Sequence, residues 1–383
     1  MAFLSPGEIV IGVLRQFLPV LLALAAILVA SVVWRRRLGF YGRIFHSGIG
    51  VVGLALLLFW VLTALMASSV AVFDPYAQIR AMQNQLPGAI EAQGGLAYLF
   101  GGDALGRCVF SRMVYGSRTV MAIAPTATLF AYMVGIMLGL PAGYYGGRLD
   151  TALSFVANLV LAFPVILLFY LLVTPEIRQT PIPLAMAAVL FAFPLLFLAT
   201  FFASRYRERP GMLWATVGPV VAVGGFVYLG LIGVWDPTGM IAMEPNTLNI
   251  FLAVVFITAP TIFRIVRGLT LDIKTRDYVA AAQTRGERPW YIMLWEILPN
   301  ARGPLIVDAC LRIGYTTILL GTLGFFGLGV SPESPDWGST INEGRKLLRL
   351  YVHPALPPAL AIMSLVLGLN LLADALREQS MRD

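Results

Sequence analysis

Bond-making chemistry needs a nucleophile, a base or a bound metal within reach of one another. This chain offers almost none of these. Its two histidines, His46 and His353, stand alone, and its two cysteines, Cys108 and Cys310, are too far apart for the usual metal-ligand spacings. Cys310 falls inside an apolar run, so two free thiols are expected rather than a disulfide. No G-x-x-x-x-G-K-[ST] phosphate loop, H-E-x-x-H pair or G-x-S-x-G elbow occurs, so neither ATP hydrolysis by this chain nor protease chemistry has anything to build on. What stands out is mechanical. The interval 264–302 is the longest polar stretch between two long apolar runs, and it holds seven of the 27 Lys+Arg. Within it, 277–283 is alanine-rich and helix-favouring, Gly286 is a natural stop that can take positive φ, and an apolar rhythm resumes from Trp290 to Leu298 before Pro299. The pattern predicts a short helix, a turn and a second amphipathic helix at a membrane surface. The alternative for this stretch is an ordinary amphipathic loop helix.

The elements that must carry it are transmembrane helices. The chain is 58% hydrophobic and 12% charged, with mean hydropathy +0.81, about half the charge of a soluble domain. A bilayer core needs about 20 apolar residues per helix. Nine runs qualify, at 8–33, 48–72, 119–141, 152–174, 184–203, 213–234, 247–267, 303–328 and 356–374. The first is not read as a cleavable signal, because it lacks a basic start and ends in Trp34-Arg35-Arg36-Arg37. Keeping those arginines inside places the amino terminus in the periplasm and the carboxyl terminus in the cytoplasm. The loops then called cytoplasmic hold 17 Lys+Arg and the opposite loops 8, as orientation by basic residues requires. The same rule accounts for net charge +7 and pI 9.6, and no basic, aromatic-interleaved segment suggests nucleic acid. Prolines inside the spans, Pro125, Pro164, Pro194, Pro219 and Pro260, are candidate kinks or hinges.

Four stretches in order carry a family resemblance. Ala281-Ala282, Gly286 and Leu298-Pro299 are similar to the coupling motif of importer-type ABC permeases, and the flanks Asp277-Tyr278-Val279 and Ile297–Asn300 resemble its dipeptide/oligopeptide branch. Gly102–Arg107 with Ser111-Arg112 and Gly116 resembles the segment before that branch's second helix. Ala142–Gly147 with Asp150, then Ala162-Phe163-Pro164, resembles its next loop and helix. Phe326–Val330, Asp336-Trp337-Gly338, Glu343-Gly344-Arg345 and Asn370-Leu371-Leu372 resemble its carboxyl-terminal end. The resemblance implies an all-α polytopic fold: a six-helix core from the spans at 48–72, 119–141, 152–174, 247–267, 303–328 and 356–374. Three helices are then extra, one at the amino terminus (1–47 with its basic loop) and a hairpin inserted at 184–234. Residues 48–118 form the first core helix and a long periplasmic loop, and 119–383 the permease domain. Departures from the family stand at Ala280 and Glu296, which puts the identity of the ATPase partner in question.

The resemblance implies an inner-membrane subunit that is not itself an enzyme. It implies a second homologous permease, two cytoplasmic ATPases that bind ATP and Mg in this chain's stead, and a periplasmic or lipid-anchored binding protein. Asp277, Tyr278, Ala281, Ala282, Arg285, Gly286, Leu298 and Pro299 are then the contact with the ATPase. Asp308 and Arg312, one turn apart about ten residues into a span, are candidates for the pathway or for a structural pair. Asp103, Arg107, Trp337, Arg345 and Lys346 lie in the two loops facing the binding protein and are candidates for docking, against the alternative of solvated loops. A stand-alone secondary transporter would show repeated halves and several midplane charges. A membrane enzyme would need a catalytic constellation.

Overall fold

The computed structural model describes residues 2–37, 39–91, 95–174, 177, 180–239, 241–329 and 333–380, so Val330 of the carboxyl-terminal motif lies outside it. Helix α1 (Pro6–Val33) opens on a capping box: Ser5 Oγ accepts from the Glu8 amide and the Glu8 carboxylate accepts from the Ser5 amide, with Pro6 at the first position. Then come α2 (Gly48–Leu65) and α3 (Val109–Tyr145). α4 (Gly147–Leu161) and α5 (Val165–Val173) follow as a pair bent by 83°. The long helices α6 (Ile182–Tyr206), α7 (Pro210–Leu231) and α8 (Pro245–Ile273) come next. α9 (Asp277–Thr284) and a helical segment α10 (289–300) separate α8 from α11 (Arg302–Phe325). α12 (Trp337–Arg345) and α13 (Leu356–Ser380) complete the order. Among the described residues, eight helices are long and apolar enough to cross a membrane, and nine spans result if the bent pair counts as one.

Two spans differ from expectation. α3 begins at Val109 rather than 119, and Arg112 in its first turn is buried against protein. The span expected at 152–174 is broken. Pro164 has no amide to donate and biases the residue before it away from helix, and the chain bends there. Pro125, Pro194, Pro219 and Pro260 sit within uninterrupted helices.

The chain divides into two compact units, Met1–Pro125 with Val307–Asp383, and Thr126–Ile306. In the first, α2 and α13 approach backbone to backbone at Gly53 and Gly368; a Cβ on Gly53 would lie 2.7 Å from the Gly368 carbonyl oxygen. Trp60 Nε1 donates to Ser364 Oγ across the same pair (2.9 Å). The short strands β1 (Ala89–Ile90) and β2 (Ala97–Tyr98) pair antiparallel, and the Leu4 amide donates to Gly88 beside them. The amino terminus thus meets the 73–118 loop, as one shared side of a membrane requires. At the other end, Ile44 packs with Leu54, Leu372 and Leu376, bringing the 35–46 loop to the end of α13.

In the second unit, Gly135, Gly139 and Gly143 recur every fourth residue on α3 and seat it on α8. A Cβ at these positions would lie 2.5 Å from Ile262 Cγ2, 2.9 Å from the Phe263 oxygen and 2.7 Å from Thr270 Cβ. The bent pair runs antiparallel to α8. Asp150 at its start pairs with Arg267, and the Leu172 carbonyl near its end accepts from Asn249 (2.9 Å). Eighteen α8 residues separate those two contacts, about 27 Å of helix, and the expected nine spans correspond to eight among the described residues, or nine with the bent pair counted as one.

Candidate coupling site

The scaffold under 277–300 is built from the ends of α3, α4 and α8. Arg267 grips the Asp150 carboxylate with both arms of its guanidinium, Nη2 donating to Oδ2 at 2.5 Å. Lys274 Nζ donates to the Gly143 oxygen (2.7 Å) and the Tyr144 oxygen (3.4 Å), placing a cation on the carbonyls that end α3. Gln283 Nε2 reaches the Tyr144 hydroxyl at 3.2 Å. The end of α3 at 142–145 and the 264–302 interval therefore meet at one end of this unit.

α9 starts with Asp277 in its first turn, where a carboxylate favours the helix dipole. Val279 and Ala282 are buried, while Asp277, Tyr278, Ala280, Ala281 and Arg285 face outward. Partial burial moves the Tyr278 phenol above its ordinary pKa, so it stays neutral at physiological pH. The helix ends in a Schellman turn: the Glu287 amide donates to the Ala282 oxygen (3.1 Å) and the Gly286 amide to the Gln283 oxygen (2.9 Å). Gly286 holds φ +80, and a Cβ built there would meet nothing within 4 Å. Its requirement is conformational, and the space above it is open.

The second helix has an unforeseen feature. Residues Ile292–Ile297 wind as a π-helix inside α10, a rare geometry often found at functional sites. Ile292, Met293, Leu294 and Ile297 are buried. The two residues between them face different neighbours. Glu296 Oε1 takes an ion pair from Arg285 Nη2 at 3.2 Å. Trp295 Nε1 donates to Ser204 Oγ at 3.1 Å, its ring lies 4.6 Å from that of Phe201, and the Arg205 guanidinium sits over it at 4.7 Å. Leu298 is half-buried and Pro299 exposed. None of Phe201, Ser204, Arg205, Tyr291 or Trp295 was singled out from the sequence, because nothing in the spacing pairs residues 91 positions apart.

Three docking candidates are corrected. Asp103, Arg107 and Trp337 are 2%, 2% and 1% exposed, so their side chains offer no surface to a partner. Asp103 accepts from the amides of Leu105 and Arg107 (2.9 Å each) and from Arg107 Nε (2.6 Å). Arg107 Nη2 also bonds Glu343, while Arg112 donates to the Ser334 carbonyl (2.9 Å). Trp337 Nε1 donates to the Met113 oxygen (2.8 Å), and its ring fills the space that a Cβ on Gly116 would need. The 102–116 and 336–345 motifs are two halves of one buried block. Burial carries the Asp336 carboxyl above its ordinary range, against hydrogen bonds from Ser339 that favour its charged form. Arg345 and Lys346 are exposed; the Arg345 guanidinium lies over the Phe325 ring at 4.6 Å. Asp308 and Arg312 form the expected intrahelical pair at 3.1 Å, each under one-fifth exposed.

The family described as "Binding-protein-dependent transport system inner membrane component" matches residues 135–380, which include the whole of this site. The chain belongs to that family. A glutathione transport system permease protein of Pectobacterium atrosepticum is 31% identical over 282 residues, 74% of this chain and 71% of that protein. A dipeptide transport system permease protein of Haemophilus influenzae is 29% identical over 328 residues, covering 86% and 88%. A di/tripeptide transport system permease protein of Pseudomonas aeruginosa is 27% identical over 339 residues, covering 88% and 89%. As a member of this family, the chain is a multi-pass permease subunit of an ABC importer.

Proposed function

We propose that the chain moves peptides, of the size of di- and tripeptides, from periplasm to cytoplasm, driven by ATP that separate subunits hydrolyse. The observation that carries the reading is the outward face of α9, closed by the Schellman turn at Gly286, in a member of this family. The names of the aligned relatives support peptide cargo. In this reading the amino terminus is periplasmic and 264–302 cytoplasmic. Two ATPases, which bind ATP and Mg, meet Asp277, Tyr278, Ala281, Arg285 and Gly286, with Ala282, Leu298 and Pro299 shaping the support behind them. A second permease, different from this one, completes the pathway, and a binding protein delivers cargo near Arg345 and Lys346. α1 and the α6–α7 hairpin are additions to the six-helix core. The Asp308–Arg312 pair faces the pathway, where it meets peptide termini.

Two measurements test this. Purification of the chain from its own membrane should bring down polypeptides carrying phosphate loops; a chain that purifies alone refutes the reading. Labelled di- and tripeptides, glutathione among them, should enter vesicles holding the complex only with ATP inside and binding protein outside. Arg312→Gln should lower uptake of several peptides together, and unaltered uptake removes the pair from the pathway.

A further inference from the structure

The α6–α7 hairpin is the one pair of long helices that the six-helix core does not explain. The apolar stretch of α7 is not buried, but the contacts of α6 are not those of a peripheral addition. Near the middle of α6, Phe191 packs with Phe130 of α3 and Phe251 of α8, ring centroids 5.5 and 5.7 Å away. Thirteen residues on, about 20 Å along the helix, Ser204 and Arg205 hold Trp295, and Arg205 Nη1 also donates to the Tyr291 hydroxyl at 3.2 Å. α6 is therefore fastened to the membrane helices at one place and to α10 at another. The grip falls on the π-helical turn, where Trp295 faces α6 and Glu296 faces Arg285. An aromatic ring held by a hydrogen bond at its edge, a ring against its face and a guanidinium over it has little rotational freedom left.

We propose that α6 is a strut: Phe201, Ser204 and Arg205 are positioning residues that hold α10 in register, so that force arriving at α9 reaches the membrane helices by a second route besides α8 and α11. This rests on the reading of 264–302 as the coupling element. The strut makes α6 part of the transmission.

The test uses the whole complex as purified, with amide hydrogen exchange over 277–300 and binding-protein-stimulated ATP hydrolysis as readouts. Ser204→Ala and Arg205→Gln, alone and together, should speed exchange in 289–300 about tenfold while α8 and α11 keep their protection. Stimulation should fall about fivefold or more with the ATPases still co-purifying. Trp295→Phe, which keeps a ring for Phe201 and Arg205, should retain more stimulation than Trp295→Ala. Unchanged exchange in 289–300, or unchanged stimulation, overturns the strut. Gly286→Val separates the two failures. If it abolishes stimulation while the Ser204 and Arg205 variants do not, only the strut falls; if it also leaves stimulation intact, the coupling reading itself is wrong.

Discussion

The buried block around Arg107 and the outward face of α9 are both polar stretches between apolar runs, and both carry family motifs, yet they do opposite things. Around Arg107, charge is turned inward: two arginines pair with Asp103 and Glu343 and donate to the carbonyls of 333–334, with Arg112 Nε the buried nitrogen of the group that is left without a hydrogen bond among the described residues. On α9, charge and small side chains are turned outward, with only Val279 and Ala282 buried. A buried charge is retained only where partners surround it, so the first region is specified by its own chain. The second has open space where a partner's surface would lie. A motif in a membrane protein can thus mark either a fold-holding block or a contact, and burial tells them apart.

The largest effect separating the two regions is expected from Arg107→Ala. It strands Asp103 among buried groups and should cost about 3–5 kcal/mol, read as lost yield and a lowered unfolding temperature in detergent. Asp103→Asn combined with Arg107→Met, which removes both charges and keeps an oxygen for the amides of Leu105 and Arg107, should recover part of it. An Arg107→Ala protein as stable as wild type would break the contrast. Next is Gly286→Val. Its left-handed φ should cost about 1–2 kcal/mol of local strain, and stimulated ATP hydrolysis should be lost although the protein still folds. Gly286→Asn, better tolerated at positive φ, should be milder in both.

A pH effect near neutrality is expected in the first unit. Burial lowers the His353 pKa, outweighing the Gly102 carbonyl that its Nε2 meets at 3.2 Å. A depressed folded pKa means that the unfolded chain binds the proton first. Stability is then intact above the ordinary histidine value and falls as pH drops toward the folded one. Unfolding temperatures between about pH 8 and about pH 5 should therefore fall less steeply in His353→Gln than in wild type; identical slopes would remove the histidine as the cause. Asp336, with its raised pKa, acts with the opposite sign, and comparing the two proteins cancels it. Smallest of all is Arg285→Ala. Its pair with Glu296 is 55% and 25% exposed, so its stability cost should be under about 1 kcal/mol. Any marked loss of stimulated hydrolysis would then assign Arg285 to the partner surface.

Sequence alone determined the class of protein, most helix positions and the Gly286 turn. Each depends on local properties: run length, hydropathy, and the residue that tolerates positive φ. It failed at α3's start because a charged side chain near a helix end looks the same whether water or protein solvates it; Arg112 is solvated by carbonyls 221 and 222 residues away. Only the tertiary structure decided that Asp103, Arg107 and Trp337 face inward, that Pro164 breaks its helix while four other prolines do not, and that the end of α6 holds Trp295. Each of those outcomes depends on which distant residue occupies the neighbouring space, and spacing along the chain carries no record of that.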